Sequence, residues 1–231
     1  MNQTESTVTG VEGRRPIECY YRWHAGIYDL TRWSFLFGRS RLLRRLDQRR
    51  FEPRSILEVG CGTGSNLLAL ARRYPTAELV GIDLSESMLE RARRKLRPHQ
   101  ERVSWVRGPY DAPLREGRGF DLVVCSYALS MFNPGFDRAL RAAASDLSSR
   151  GLLVLVDFHD TAHPWFARWM RRNHVRMEGQ LLPLLRAVTE PQYVGLHPAY
   201  GGVWRYVEYV GSRVRPAKKR FVPRASLMPR G

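Results

Sequence analysis

The sequence predicts an α/β fold: a mostly parallel, seven-stranded sheet flanked by helices and preceded by a helical cap. Three observations predict it. From Ser55 onward, short apolar runs alternate with stretches of helical period, the pattern of repeated βα units. A glycine-rich loop joins the first apolar run directly to a helical stretch. Two closing extended segments are separated by the turn-rich PAYGG, which suits an antiparallel hairpin at one edge of the sheet.

Residues 1–15 are polar, lack the apolar stretch of a secretory signal, and read as a disordered leader. Residues 16–50 read as two or three amphipathic helices broken at Gly26 and Gly38, a cap facing substrate or membrane. Residues 51–211 form the main domain. Its strands are expected at 55–59, 78–82, 103–106, 120–125 and 151–157, with helices at 64–73, 85–97 and 135–147 between them. Ser65 or Asn66 is available to cap the first of these helices. The third should stop in a turn over Ser148–Gly151. Residues 164–190 read as helical with a break near Pro183. Extended segments near 192–197 and 203–210 close the domain, the second rich in β-branched and aromatic residues. Residues 212–231 form a flexible tail with seven basic residues and no acid.

Composition narrows the function. No apolar run approaches the roughly 20 residues that a membrane span needs, so a cytoplasmic protein is expected. Cys19, Cys61 and Cys125 are too scattered for a metal site or a disulfide framework, and no metal is expected. The net charge is +16. Only Lys95, Lys218 and Lys219 are lysines, a skew toward arginine that base composition alone can produce. The charges also cluster, however. RSRLLRRLDQRR (39–50) sets Arg41, Arg44, Arg45 and Arg49 along a helix whose other face carries Leu42, Leu43 and Leu46. That pattern points to an anionic surface, a membrane leaflet or nucleic acid.

The most informative segment is ILEVGCGTGSNLLAL (56–70). A strand runs into Glu58-x-Gly60-x-Gly62-x-Gly64, and a helix follows at once. Glycine is required where backbone turns with positive φ and a ligand lies against it. At the end of the next strand, Asp83 stands about 20 residues on, where a carboxylate can hold two ribose hydroxyls. A dinucleotide site would show G-x-G-x-x-G, and neither register fits. A phosphate-binding loop ending in lysine is also absent.

This loop with its acid resembles motif I and the following acidic position of the class I S-adenosylmethionine (SAM)-dependent methyltransferases, whose fold is Rossmann-like. The resemblance implies SAM as cofactor, with the loop around its methionine portion and the acid on its ribose. The cofactor set so implied is Glu58, Gly60, Cys61, Gly62, Thr63, Gly64, Asn66, Asp83, Leu84, Met88, Tyr110 and Ser126. Where many relatives carry Gly-Asp for the adenine amine, this chain has Gly108-Pro109-Tyr110-Asp111. Either Asp111 is displaced or Tyr110 packs on the ring instead.

Three further segments, YYRWHAGIYDLTRWSFLFGR (20–39), CSYALSMF (125–132) and LVDFHDTAHPWFARWM (155–170), resemble the bacterial betaine-lipid N-methyltransferases. That resemblance implies three methylations of the amine of diacylglyceryl homoserine, an amino-lipid acceptor at an anionic membrane surface, and a peripherally membrane-associated enzyme. Arginine would clamp the headgroup carboxylate, and aromatic rings favour its quaternary ammonium. Tyr28 is the first aromatic candidate among the rings of 20–37. An amine must lose a proton before each attack. His159 is the first candidate to accept it, oriented by Asp157 or Tyr127, with His24 and His174 as alternatives. Competing readings are a methyltransferase for a small soluble or quinone acceptor, a nucleic-acid methyltransferase, and a non-catalytic SAM- or lipid-binding module. The nucleic-acid reading lacks the Asn/Asp-Pro-Pro-Tyr/Phe and Pro-Cys signatures, so no nucleic acid is expected.

Overall fold

The computed structural model describes residues 37–48, 51–115 and 117–214. The expected leader, nearly all of the cap (Cys19, His24 and Tyr28 included) and nearly all of the tail lie outside the described residues.

The elements run α1 (Arg39–Gln48), β1 (Ser55–Val59), α2 (Ser65–Arg73), β2 (Glu78–Asp83), α3 (Glu86–Lys95), β3 (Val103–Arg107), β4 (Phe120–Ser126), α4 (Phe136–Ser145), β5 (Leu147–Asp160), α5 (Pro164–Arg172), α6 (Leu181–Val188), β6 (Thr189–Ala199) and β7 (Trp204–Arg213). They form the expected seven-stranded, mostly parallel, Rossmann-like sheet in the order β3-β2-β1-β4-β5-β7-β6. β7 runs antiparallel to β5 and β6 antiparallel to β7, so the closing hairpin is present.

Both faces of the sheet are covered, which is why its central strands read as continuous apolar runs. Alternate residues serve opposite sides. Ile56, Leu79, Val124, Val154 and Val156 pack with Leu46 of α1, Leu67 and Leu70 of α2, and Phe166 and Met170 of α5. Leu57, Val80, Val123, Leu153 and Leu155 pack with Ala139 and Leu140 of α4 and with Leu181 and Leu185 of α6.

Three local expectations need correction. Neither Ser65 nor Asn66 caps α2. The Asn66 amide donates to Glu58 Oε1 at 2.9 Å and the Ser65 hydroxyl accepts from Lys95 Nζ at 2.8 Å, so both side chains are committed to tertiary partners. The break in 164–190 falls at residues 173–180, and Pro183 lies inside α6. It sits in the first turn, where a missing N–H leaves no helical bond unmade. No turn separates α4 from the following strand at Ser148–Gly151, because β5 already begins at Leu147.

Two arginines of the expected basic stripe, Arg41 and Arg45, make contacts that the sequence did not indicate. Arg41 and Arg45 approach the fully buried Glu208 of β7 at 3.6 Å each. Arg45 also donates to the Tyr193 hydroxyl at 2.7 Å and lies over that ring, and His197 Nε2 stands 3.3 Å from Glu208. Arg41 and Arg45 anchor α1 to the β6–β7 hairpin, while Arg44 is exposed and Arg49 lies outside the described residues.

Candidate cofactor and acceptor site

The strand order reverses between β1 and β4, and a cleft opens beyond the carboxyl ends of both strands, as expected of an open α/β sheet. A cavity of about 260 Å³ lies there. Its walls come from the β1 loop (Gly60, Gly62), the end of β2 and start of α3 (Ile82, Asp83, Leu84, Met88), the β3 loop (Gly108–Asp111) and residues beyond β4.

Gly60 and Gly62 have φ of 66° and 54°. A Cβ on Gly60 would stand 2.6 Å from that of Ala128, so any other residue would close the cleft as well as strain the turn. Asp83 organises this loop. Its Oδ2 accepts from Gly62 N–H at 2.8 Å and its Oδ1 from Ser85 N–H at 2.9 Å, tying the β1 loop to the start of α3 while the carboxylate still lines the cavity.

The remaining loop residues sit behind that wall. Glu58 is buried and accepts from Asn66; Thr63 accepts from Lys95 Nζ at 3.3 Å. Cys61 is buried, and burial pushes its thiol far up. None of Glu58, Cys61, Thr63, Gly64 and Asn66 lines the cavity; they shape the loop. Ser126 is likewise off the wall, accepting from Arg39 Nε at 2.8 Å.

Tyr110 and Asp111 both reach the cavity. The Tyr110 hydroxyl points inward, donating to Asp146 Oδ2 at 2.7 Å. The same buried carboxylate accepts from Leu114 N–H and Arg115 N–H at 2.9–3.0 Å, so Asp146 holds the β3–β4 connection at Tyr110, Leu114 and Arg115. Sequence reasoning missed this residue. An acid at a helix C-terminus opposes the helix dipole, and that anomaly was the available signal. Arg138, Asn133 and Phe132 are further lining residues that the sequence did not single out.

The expected catalytic group divides. Tyr127 lines the cavity with φ 52°, and its hydroxyl donates to Phe37 C=O at 2.9 Å. Burial, with Asp157 nearby, pushes its phenol far up, so it stays protonated. Asp157 and His159 do not line the cavity. Asp157 is fully buried and accepts from Ser130 N–H at 3.2 Å and Phe158 N–H at 2.8 Å, fixing the 3₁₀ turn Leu129–Met131. His159 lies against Gly179, with Nδ1 buried and making no hydrogen bond. Burial lowers its pKa from the usual value, opposed by Asp160 at 3.8 Å. No hydrogen bond joins it to Asp157 or Tyr127, so the expected orienting pairs do not form. His174 is exposed, on the loop after α5.

Burial raises the Asp157 carboxyl to about 6, against three or more backbone and side-chain bonds that pull it down. A raised acid favours the folded state below its unfolded pKa of 3.8 and loses that contribution as pH rises through about 6. Measured by thermal melting, wild type should therefore gain on Asp157→Asn as pH falls from 7 toward 4, and the gap should level off below that.

The cavity suits SAM. It has bare glycine backbone at the β1 loop, a carboxylate at the end of β2, and apolar Leu84, Met88 and Pro109 beside Asp111. Among the described residues, no cluster of three or more His, Cys, Asp or Glu is set to hold a metal.

Residues 56–151 match the family model described as a methyltransferase domain. The malonyl-[acyl-carrier protein] O-methyltransferase of Geobacter sulfurreducens is 36% identical over 140 residues, 60% of this chain and 52% of that protein. The chain spans about half the length of the curated relatives it matches. Among solved structures, the N-methyltransferase NodS of Bradyrhizobium japonicum, bound to S-adenosyl-L-homocysteine, superposes with a TM-score of 0.63 at 19% identity, covering 77% of this chain and 86% of that one. The [4+2]-cyclase SpnF superposes at 0.60 and 19%, covering 69% and 75%. At such identities these neighbours speak to the fold alone, and the cyclase shows that this fold also hosts other chemistry.

Proposed function

We propose that this chain, which carries a class I SAM-dependent methyltransferase domain, methylates the amine of a lipid headgroup, taking diacylglyceryl homoserine to its trimethyl betaine in three transfers. The observation that carries the reading is where two of the resembling segments lie. Residues 125–132 supply the cavity wall Tyr127, Ala128, Met131 and Phe132, and residues 155–170 end β5 and build α5 on the same edge of the sheet.

The cofactor supplies an activated methyl group on a sulfonium. The protein's part is to bind, orient and exclude water. Asp83 would hold the ribose, Gly60 and Gly62 would admit the amino-acid portion, and Leu84, Met88 and Asp111 would receive the adenine. Tyr127, Met131 and Phe132 present rings and a thioether to the reacting centre, surroundings that favour a methylammonium. Arg138, at the mouth, is placed to take the headgroup carboxylate. Arg138→Gln should then raise the acceptor KM about 10-fold with the SAM Kd unchanged.

No described residue of the cavity wall beside Tyr127 is set as a base: Tyr127 is held protonated, Asp83 is engaged by backbone donors, and Asp111 stands at the proposed adenine end. The proton leaves to water, and His159→Gln should keep kcat within about threefold, where losing a general base costs about 100-fold or more. Steady-state kinetics on the purified variant decides this.

The test is transfer from labelled SAM to amino-lipid vesicles and, in parallel, to malonyl-acyl carrier protein, the acceptor named for the relatives. Mass spectrometry should find one, two and three added methyls on the lipid. A methyl ester on the carrier protein with no lipid product would overturn the acceptor and leave the methyltransferase domain standing.

A further inference from the structure

Among the described residues, four aromatic rings are markedly exposed: Phe37 (38%), Trp165 (63%), Trp169 (47%) and Tyr200 (50%). All four lie at the carboxyl edge of the sheet, where the cavity opens. Trp165 and Trp169 belong to α5, directly after β5. Tyr200 is in the β6–β7 turn, and Phe37 packs edge-on against it at 5.4 Å. The Thr161 hydroxyl binds Val203 C=O, joining the α5 side of this rim to the hairpin side. Arg176 N–H donates to Ser130 C=O at 3.1 Å, which fastens the segment after α5 to the turn that contributes Met131 to the cavity wall.

α5 is strongly two-sided. Phe166 and Met170 enter the core. Trp165 and Trp169, four apart, share a stripe that stays outside, although both rings touch the buried Phe166 at 5.5–5.6 Å. Arg168, Arg171 and Arg172 are exposed beside that stripe. From His163 to Arg176 there is no acid. Exposed tryptophan beside arginine on a short surface helix is the composition of an element lying in a membrane interface. A purely solvated helix would not expose two indoles.

We propose that α5 docks the protein on an anionic lipid surface, with Trp165 and Trp169 seated at headgroup level and Arg168, Arg171 and Arg172 over lipid phosphate. Charge selects this occupant over residues 1–36, whose four arginines and four acids cancel and so offer the basic helix no net opposite charge. Docking in this way brings the carboxyl edge of the sheet, on which the cavity lies, to the bilayer. The inference concerns the surface and stands apart from the choice of acceptor.

The test uses the full chain without SAM and vesicles free of any primary amine: phosphatidylcholine with or without phosphatidylglycerol, in a flotation assay. The protein should float with the anionic vesicles only, and its tryptophan emission should shift to the blue. The triple change Arg168→Gln, Arg171→Gln, Arg172→Gln should weaken partition about 100-fold at low salt. Trp165→Ala with Trp169→Ala should weaken it about 10-fold and abolish the blue shift. Both variants should retain SAM binding, which shows that they are folded. Absence of flotation, flotation unchanged in both variants, or binding of tRNA in preference to vesicles would each overturn the proposal. So would indoles already shielded from acrylamide in the free protein, which would place residues 1–36 on this face. Methylation of amino-lipid in detergent micelles reads the acceptor separately, so either idea can fail alone.

Discussion

Asp83→Ala should weaken SAM binding by at least about 100-fold, measured by calorimetry, with the circular dichroism spectrum little changed. The carboxylate does two things that no neighbour can take over. It accepts two backbone N–H groups, from Gly62 and Ser85, and it lines the cavity at the end of β2. Removing it leaves both donors without that partner and releases the β1 loop from the start of α3. It also deletes the carboxylate that we propose holds two ribose hydroxyls. Hydrogen bonds to a charged group contribute about 1.5–3 kcal/mol each, and two lost ribose bonds alone reach the stated factor. Asp111→Asn is the contrast: a carboxylate beside a purine gives up at most one such bond. Binding within threefold of wild type for Asp83→Ala would show that the ribose lies elsewhere.

Asp146→Ala should lower Tm by about 10 °C and weaken SAM binding with it. Three donors converge on this buried carboxylate: the Tyr110 hydroxyl and the N–H groups of Leu114 and Arg115. Each one left buried without an acceptor costs about 1–3 kcal/mol, and a domain of this size loses about 2–4 °C per kcal/mol. The connection they hold includes Tyr110 and Asp111, so the purine side of the cavity loosens as stability falls. Asp146→Asn should be much milder. Its amide oxygen can still accept from both N–H groups, and the Tyr110 hydroxyl can turn to accept from the amide nitrogen. Tyr110→Phe removes one bond and should cost about 1 kcal/mol. A melting series over the three variants tests the ranking.

The parts of the site that were legible in the sequence share a cause: local geometry forced the residue choice. Three glycines in alternate positions between a strand and a helix, followed by Asp83, leave few backbone paths, and β1, the loop, α2 and β2 lie where the sequence put them. What was illegible depended on partners far away in the chain. Gly151 was read as a turn residue. In the structure it serves close approach, since a Cβ there would meet Phe120 C=O at 2.6 Å, and one on Gly119 would meet Asp146 C=O at 2.5 Å. The pairing of β4 with β5 shifts register between Phe120 and Leu122, and a strand replaces the expected turn.

The same contrast separates His159 from Tyr127. Each ends a strand on the cavity side of the sheet, yet only Tyr127 lines the cavity. Strand alternation puts Asp157 and His159 on one face, and that face is covered by the Leu129–Met131 turn and by Gly179. Sequence order locates the edge of the sheet but not what folds over it. Glu208 did carry a trace in the sequence: it falls in phase with Trp204 and Tyr206, whose side is buried.

Glu208 also sets an order on the making of the molecule. A chain emerges from the ribosome N-terminus first. Every residue that lines the cavity has been made by Arg138, and the sheet that supports them continues through β5. Helix α1 is synthesised before all of these, yet the carboxylate that its arginines approach, Glu208, is not made until the chain has reached β7. Until then, Arg41 and Arg45 have no buried carboxylate to approach, and the contacts open to α1 are those of Leu46 with the core and of Arg39 with Ser126. The cavity is therefore lined before the ion pairs that fasten α1 to the hairpin can form, and a nascent chain stalled before Glu208 would hold its glycine loop complete with those pairs still unmade.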